Sequence, residues 1–459
     1  MSTTATIIAS TVVLYIVATG ILTYILRSKT NSQFMVGSRA VPALVVGILL
    51  MSEFIGAKST IGLAQAAFNQ GIAAGWSLFA ASIGFVLLGF FFVRQIYNSG
   101  EITISGVISQ RFGHGAQTVV SLIMIYALLL VNVGNFISGA AVLSAALNIS
   151  LPVASILIAA ICAFCALLGG FKGVAYVTIL HTSMKILGVI ILVWVALSLS
   201  HGVRPVMDHL PAYYFTWDGH VGATTIVAWL IGNVGAIFST QYIVQAIASN
   251  RNANAARRSA FYAAILCLPM GLALGFIGVA ARYLYPQLDA LYALPIFVQH
   301  MGPASAAIVT TSLVASVFVG VSTVSLAMTA LIVRDFYSPY FQPTVSEELK
   351  AAKIISLFVG VAPMICVFFV PEVLKLSFFT QALRLPITVV ALIGLYAPAF
   401  ATKRGAVIAL LVSVVLTSCW YFWGNPYHID NMYIALFSPL FILGCERLIS
   451  ARYRGALAS

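Results

Sequence analysis

Apolar residues run along this chain in long blocks, and most polar residues fall between the blocks. About twenty apolar residues suffice to cross a bilayer as a helix, and thirteen blocks meet that length. They cover about 5–27, 41–69, 73–96, 116–147, 151–170, 175–199, 223–247, 258–283, 305–332, 351–372, 376–400, 405–423 and 431–449. The pattern therefore predicts an all-α polytopic membrane protein with thirteen transmembrane helices. One block breaks the rule. VPALVVGILLMSEFIGAKSTIGLAQAAFNQG, residues 41–71, holds Glu53, Lys58 and Ser59 in its middle, beside Gly56 and Gly62. Charge at membrane depth is costly and is rarely left facing lipid. Irregular backbone is tolerated there only where protein or a water-filled cavity surrounds it. A helix broken at a binding site is expected; a packed helix with Glu53 and Lys58 paired is the alternative.

The block 223–247 is interrupted in the same way, by Gly232, Asn233, Gly235, Ser239, Thr240 and Gln241. Five spans, 41–199, are followed by five more, 223–400, each set opening on its interrupted helix. An odd-numbered unit repeated in tandem enters the membrane in opposite senses, and paired broken helices at matching places mark a transport site. The remaining spans are an extra N-terminal helix, 5–27, and two additional C-terminal helices, 405–449. We read 1–459 as a single membrane domain.

Composition agrees: the chain is 61% hydrophobic and 7% charged, against roughly 25% charged in soluble domains. The net charge of +12 would suit nucleic acid, but its placement explains it otherwise. With the N-terminus outside, seventeen of the 23 Lys and Arg fall on the cytoplasmic side and three outside, while Lys58, Lys185 and Arg384 lie within spans. That is the positive-inside bias, and it predicts a cytoplasmic C-terminus and no nucleic-acid partner. The first span lacks a basic n-region and exceeds a typical signal core, so it is expected to be retained. All six cysteines sit in or at the ends of apolar segments, which predicts buried thiols, Cys162 and Cys165 included.

Local motifs then carry a resemblance. SQFMVGSRAVPALVVG (32–47), ITISGVISQRFG (102–113), GGFKGVAYVTILH (169–181), TQYIVQAIASNRNANAARRSA (240–260), LIVRDFY (331–337) and KRGAVIALLVS (403–413) stand in order across nearly the whole chain. Together they resemble the sodium:solute symporter family. The resemblance implies a leucine-transporter-type fold of 5+5 inverted repeats, a bacterial inner-membrane location and alternating-access transport of a small organic solute. It also implies a sodium site of first-core-helix carbonyls and eighth-core-helix hydroxyls. Its positions here are Ser52, Ile55, Ser316, Val319, Gly320, Ser322 and Thr323. Val319 and Gly320 replace the paired hydroxyls, and hard cations need oxygen ligands. Thr178 stands where the family has an acid, His181 where it has glutamine, and Lys58 adds a positive charge near the first-helix kink. Sodium coupling is thereby put in question, with Ser322 and Thr323 one turn away as a shifted site.

Lys58 is the expected built-in cation in place of sodium, and coupling to protons or to no ion follows as an alternative. His181, at i, i+4 from Lys185, shares its face and is a proton-relay candidate; a packed His181 with a snorkelling Lys185 is the favoured reading. Thr178 completes the coupling-ion set. Substrate contacts are expected from Glu53, Lys58, Ser59, Asn132, Asn233, Gln241 and Arg384. Asn233 leads because the matching asparagine faces the substrate in the family's sugar carriers, while Asn132 and Asn135 equally suit helix–helix hydrogen bonding. Arg384 suits a carboxylate, and together with Lys58 it favours an anionic solute. No cofactor is implied, and no HExxH, GxSxG or P-loop supports an enzyme. A transporter-like sensor is the rival class, although only about ten residues follow the last span.

Overall fold

In apolar surroundings only an internal hydrogen-bond ladder satisfies the backbone, so the apolar blocks fold as helices. The computed structural model describes residues 3–168, 170–369 and 373–456, without the side chains of 57, 58, 146, 161–168, 366–369, 373, 374 and 450–456. The helices that build the bundle are α1 (Thr3–Ile25), α2 (Ala43–Phe54), α3 (Ala57–Gln70), α4 (Trp76–Phe91), α5 (His114–Leu147), α6 (Leu151–Leu168), α7 (Phe171–Leu199) and α8 (Gly222–Ser239). They continue with α9 (Gln241–Ala248), α10 (Ala253–Leu284), α11 (Pro303–Leu331), α12 (Val345–Val361), α13 (Val373–Tyr396), α14 (Lys403–Phe422) and α15 (Asn431–Ala456). Among the described residues the only extended pairing is one bridge, Val41 to Asn250. Ten helical stretches there are long and apolar enough to cross a membrane. Helix length alone does not give the expected thirteen: α2 and the described part of α6 are shorter apolar helices, and α12 passes into a 3₁₀ segment, Ala362–Phe369.

Both interrupted blocks are broken helices. α2 ends at Ile55 (φ −94°, ψ 50°), and Gly56 (φ −71°, ψ −178°) turns the chain into α3. The glycine is required by close approach: a Cβ on Gly56 would lie 3.3 Å from the Glu53 carbonyl and 3.8 Å from Gly320 Cα. A Cβ on Gly320 would lie 2.8 Å from the Asn135 amide nitrogen. The two glycines thus let the first break press onto α11. α8 and α9 part at Thr240 (φ −66°, ψ 127°).

α11 is the buried axis, packed by α7, α5 and α1. The outer helices keep large apolar residues in the open, among them Leu14, Trp194, Phe358 and Phe441, a belt that fits contact with lipid. α14 and α15 pair with each other and lean on α13 and α5.

At the end of the bundle that the charge bias assigns to the cytoplasm, α9 is latched by hydrogen bonds. Gln241 accepts from the Ile104 amide (2.9 Å) and donates to the Ile102 carbonyl (3.0 Å), and Gln245 donates to the Met35 carbonyl. Beside it Asp335 accepts from Ser105 (2.5 Å), Gln117 (2.7 Å) and Ser121.

Candidate functional site

The end of α2 leaves carbonyls without helical donors, as every helix C-terminus does. Lys185, from the middle of α7, supplies the donors. Its ammonium donates to the Ile55 carbonyl (2.7 Å), the Ser52 hydroxyl (2.9 Å) and the Ser52 carbonyl (3.1 Å). A cation at a helix C-terminus is also favoured by the helix dipole. Lys185 is 1% exposed, so it does not snorkel; this corrects the sequence expectation, and the reason is that the break offers it three oxygens. Ser59 spans the same gap, donating to the Phe54 carbonyl at 2.7 Å. Glu53 is buried beside them, with Lys185 and Thr323 as its polar neighbours. Neither of its carboxylate oxygens accepts a well-aligned hydrogen bond. The backbone of Lys58 opens α3, but its side chain lies outside the described residues, so its expected role cannot be placed.

These are the oxygens that the resemblance gives to sodium. Ser52 and Ile55 are held by an ammonium, Val319 and Gly320 bring no side-chain oxygen, Ser322 faces the crevice beside α1, and the hydroxyls of Ser316 and Thr323 point to their own helix. Ser316 donates to the Ser312 carbonyl (3.1 Å) and Thr323 to the Val319 carbonyl (2.5 Å). With Lys185 in place this set does not fit a sodium ion.

The second break also meets a buried cation. Arg384 of α13, 2% exposed, donates to the Thr240 hydroxyl (2.5 Å) and, within its own helix, to the Thr380 carbonyl (2.8 Å). Tyr242 hydrogen-bonds to it as well and lies within electrostatic reach of Glu53. Arg384 therefore sits in the break and does not line the outer cavity. One turn further out, Gln381 donates to the Asn233 side-chain oxygen (3.1 Å), and Asn233 donates to the Trp229 carbonyl (2.9 Å).

The Asn233–Gln381 pair lies beneath Trp229 and Phe378, which stack at 4.8 Å with their planes 8° apart. Those two rings border a cavity of about 230 Å³ between α3, α8, α13 and the α14–α15 connection. Asp430 lies on its rim; burial pushes its carboxyl up, against the opposing pull of the Met432 amide.

Other expected site residues lie elsewhere. Asn132 bridges α5 to Ser325 of α11 (3.3 Å) and accepts from Asn135 (3.3 Å), the helix-to-helix alternative. Gln241 belongs to the latch that holds α9. Thr178, His181 and Ser322 line a crevice of about 20 Å³ against α1, where the His181 Nδ1 and Tyr15 hydroxyl are 2.5 Å apart. Thr178 donates to its own helix, at the Val174 carbonyl. Sequence reasoning missed the roles of Lys185, Thr240, Tyr242, Gln381 and Tyr15. Two of them carried a signal: Lys185, ten residues inside an apolar block, and Thr240, one of the residues that interrupt the second block.

Known proteins resemble this chain in sequence and in fold. The model of the sodium:solute symporter family matches residues 34–413. The human high affinity choline transporter 1 is 23% identical over 351 residues, 70% of this chain and 58% of that protein. Sheep sodium/glucose cotransporter 1 is 30% identical over 165 residues, 36% of this chain and 25% of that protein. The chain thus matches between about a quarter and three-fifths of the length of these relatives. A Na⁺-coupled sialic acid symporter superposes with a TM-score of 0.82 at 16% identity, over 96% of this chain and 97% of that one. A nucleobase-cation-symport-1 family transporter superposes at 0.64 and 15%, over 93% and 96%. At such identities these two likenesses speak for the fold.

Proposed function

Because the chain belongs to the sodium:solute symporter family, we propose that it is a secondary-active, alternating-access transporter of a small organic solute that works without sodium. The observation that carries this reading is the Lys185 ammonium, 2.7–3.1 Å from the Ile55 and Ser52 oxygens at the first break. A tethered cation there takes the role that the sequence reading gave to Lys58. A sodium ion added beside it would meet a like charge, roughly 4 kcal/mol at 4 Å with an effective dielectric near 20. The solute favoured is carboxylate-bearing. Among the described side chains deep in the bundle, Lys185 and Arg384 face a single acid, Glu53, and a buried surplus of positive charge seeks an anion. Asn233 and Gln381 are the neutral contacts proposed for it.

The topology proposed is thirteen spans in a 5+5 inverted arrangement, N-terminus outside and C-terminus inside, in a bacterial inner membrane. Cysteines placed at Met207 and Asn254 test it: the first should label from outside and the second only from inside.

The deciding experiment is uptake of organic acids, amino acids and polyols into proteoliposomes, with sodium replaced by choline and with a proton gradient imposed or withheld. Uptake should persist in choline. A steep sodium requirement would instead assign the ion to Ser322 and Thr323, where the crevice beside α1 already gathers hydroxyls.

A further inference from the structure

At the end of the bundle where Lys and Arg concentrate, α5 and α14 pack side by side and leave an open pocket of about 510 Å³ between their first turns. Lys403, Arg404 and His114 border it, with Phe112, Val407 and Ile408 as its apolar part. Lys403 reaches across the gap, since a Cβ on Gly113 would lie 3.8 Å from its Cδ. The start of α5 adds backbone: Gly113 and Gly115 line the pocket, and no side chain caps the helix there.

No acid answers these cations. Among the described residues the only ion pair is Arg204 with Asp208. Glu446 of α15 accepts from the Thr402 hydroxyl and packs against Gly405. Asp335 is bonded by Gln117 and Ser121, and Glu101 by Gln110. None of these carboxylates lines the pocket. The positive-inside bias accounts for the end at which Lys403 and Arg404 lie, but not for their convergence on one gap between two helices.

Below the pocket the gap continues as an apolar stripe. Arg404, Ile408, Leu411 and Val415 follow at i, i+4, i+7 and i+11 and so share one face of α14. Gly115, Leu122 and Tyr126 share one face of α5 in the same way. Ile408, Leu411, Val415, Leu122 and Tyr126 are all exposed. A cationic mouth over exposed apolar side chains matches an amphiphile with an anionic head. Basic pockets between spanning helices hold anionic lipid head groups, and a phosphate group is a strong acceptor for both Lys and Arg.

We propose that the α5–α14 gap binds one anionic phospholipid, with its phosphodiester held by Lys403 and Arg404 and an acyl chain along Ile408, Leu411 and Val415. The lipid braces α14 against α5, the helix whose Gln117 and Ser121 hold Asp335 just beyond the end of α11. The site goes beyond the transport reading and does not depend on which ion or solute is carried.

The test is fluorescence anisotropy of an acyl-labelled phosphatidylglycerol added to the purified full-length protein in lipid-free dodecyl maltoside. Anisotropy should rise saturably. Unlabelled phosphatidylglycerol should displace the probe, whereas phosphatidylcholine and inorganic phosphate at equal concentration should not. Lys403→Gln combined with Arg404→Gln should weaken binding roughly thirty-fold, about five-fold per charge. Lys350→Gln combined with Lys353→Gln makes the same change of charge on exposed residues of α12 and should leave the affinity unchanged. Both double variants should keep the parent's unfolding midpoint, since the replaced side chains are exposed. Displacement by inorganic phosphate would make the pocket a free-anion site and overturn the lipid assignment. Absence of saturable binding, displacement by phosphatidylcholine, or equal losses in the two double variants would overturn the site itself.

Discussion

The first and second broken helices each meet a buried cation, supplied to the first by α7 and to the second by α13. Lys185 on α7 serves α2–α3, and Arg384 on α13 serves α8–α9. What differs is how the charge is held. Lysine is a point charge on a flexible stem, and here it collects three oxygens from the break itself. Arginine is a rigid fork, and two of its bonds return to its own helix through Thr380. It meets the break through two hydroxyls, Thr240 and Tyr242. The first break also has an acid beside it, Glu53, while Arg384 meets the hydroxyls of Thr240, Thr380 and Tyr242. The comparison separates two tasks: Lys185 ties the broken ends of its helix, whereas Arg384 is a fixed positive charge leaning on a joint.

The largest effect should come from removing the tie. Lys185→Met strands the Ile55 and Ser52 carbonyls and leaves Glu53 without its cationic neighbour, a loss of about 3 kcal/mol for a broken buried charge pair. Proteoliposome uptake should fall below detection and the denaturation midpoint should drop. If Lys185→Met transports normally, the two breaks are equivalent and the tie is not needed. Arg384→Lys keeps the charge and loses the fork; uptake should fall about ten- to a hundred-fold, by one to two charged hydrogen bonds, with the midpoint nearly unchanged. Next come the acceptors. Thr240→Val removes one of the two break contacts of Arg384, leaving Tyr242, and should slow uptake about ten-fold. Ser52→Ala leaves Lys185 two carbonyls and should cost less than that; the reverse order would show that the hydroxyl, not the backbone, holds the first break.

The smallest effect serves as a control remote from both breaks. Thr344 caps α12 in a reciprocal box with Glu347, whose carboxyl is held below its usual range by the Thr344 amide and hydroxyl. A depressed carboxyl stabilises above its unfolded range, and that contribution is lost as pH falls through the folded value. Protection of the amides at the start of α12, relative to their intrinsic exchange rate at each pH, should therefore fall in acid and in Thr344→Ala at neutral pH, with uptake unaltered.

The sequence made the helical class, both interruptions and the family visible, because apolar length and in-span glycine and polar residues are local signals. Gly56 and Thr240 mark the breaks within a residue or two of where the backbone turns. Partner choice was not visible. Lys58 and Lys185 are both lysines inside apolar blocks, and only packing of α7 against α2 brings the second onto Ser52 and Ile55. Gln241, read as a substrate contact, instead holds the Ile102–Ile104 backbone, since its helix α9 starts beyond the joint. The amides of the outer cavity wall were missed because Gln65 of α3 lies far along the chain from Asn425 and Asn431 at the α14–α15 turn, and no spacing links them.

A cation that is covalently part of the protein cannot run down a gradient. One charge moving through 100 mV supplies about 2.3 kcal/mol, enough for roughly a fifty-fold accumulation. An ammonium fixed at Ser52 and Ile55 supplies none. Without another ion, net flow is then set by the solute alone, and an inside-negative potential pushes a carboxylate outward. On that reading, replacing a mobile ion by Lys185 turns an accumulating pump into an exchanger or an exit route, with direction dictated by metabolism on either side of the membrane.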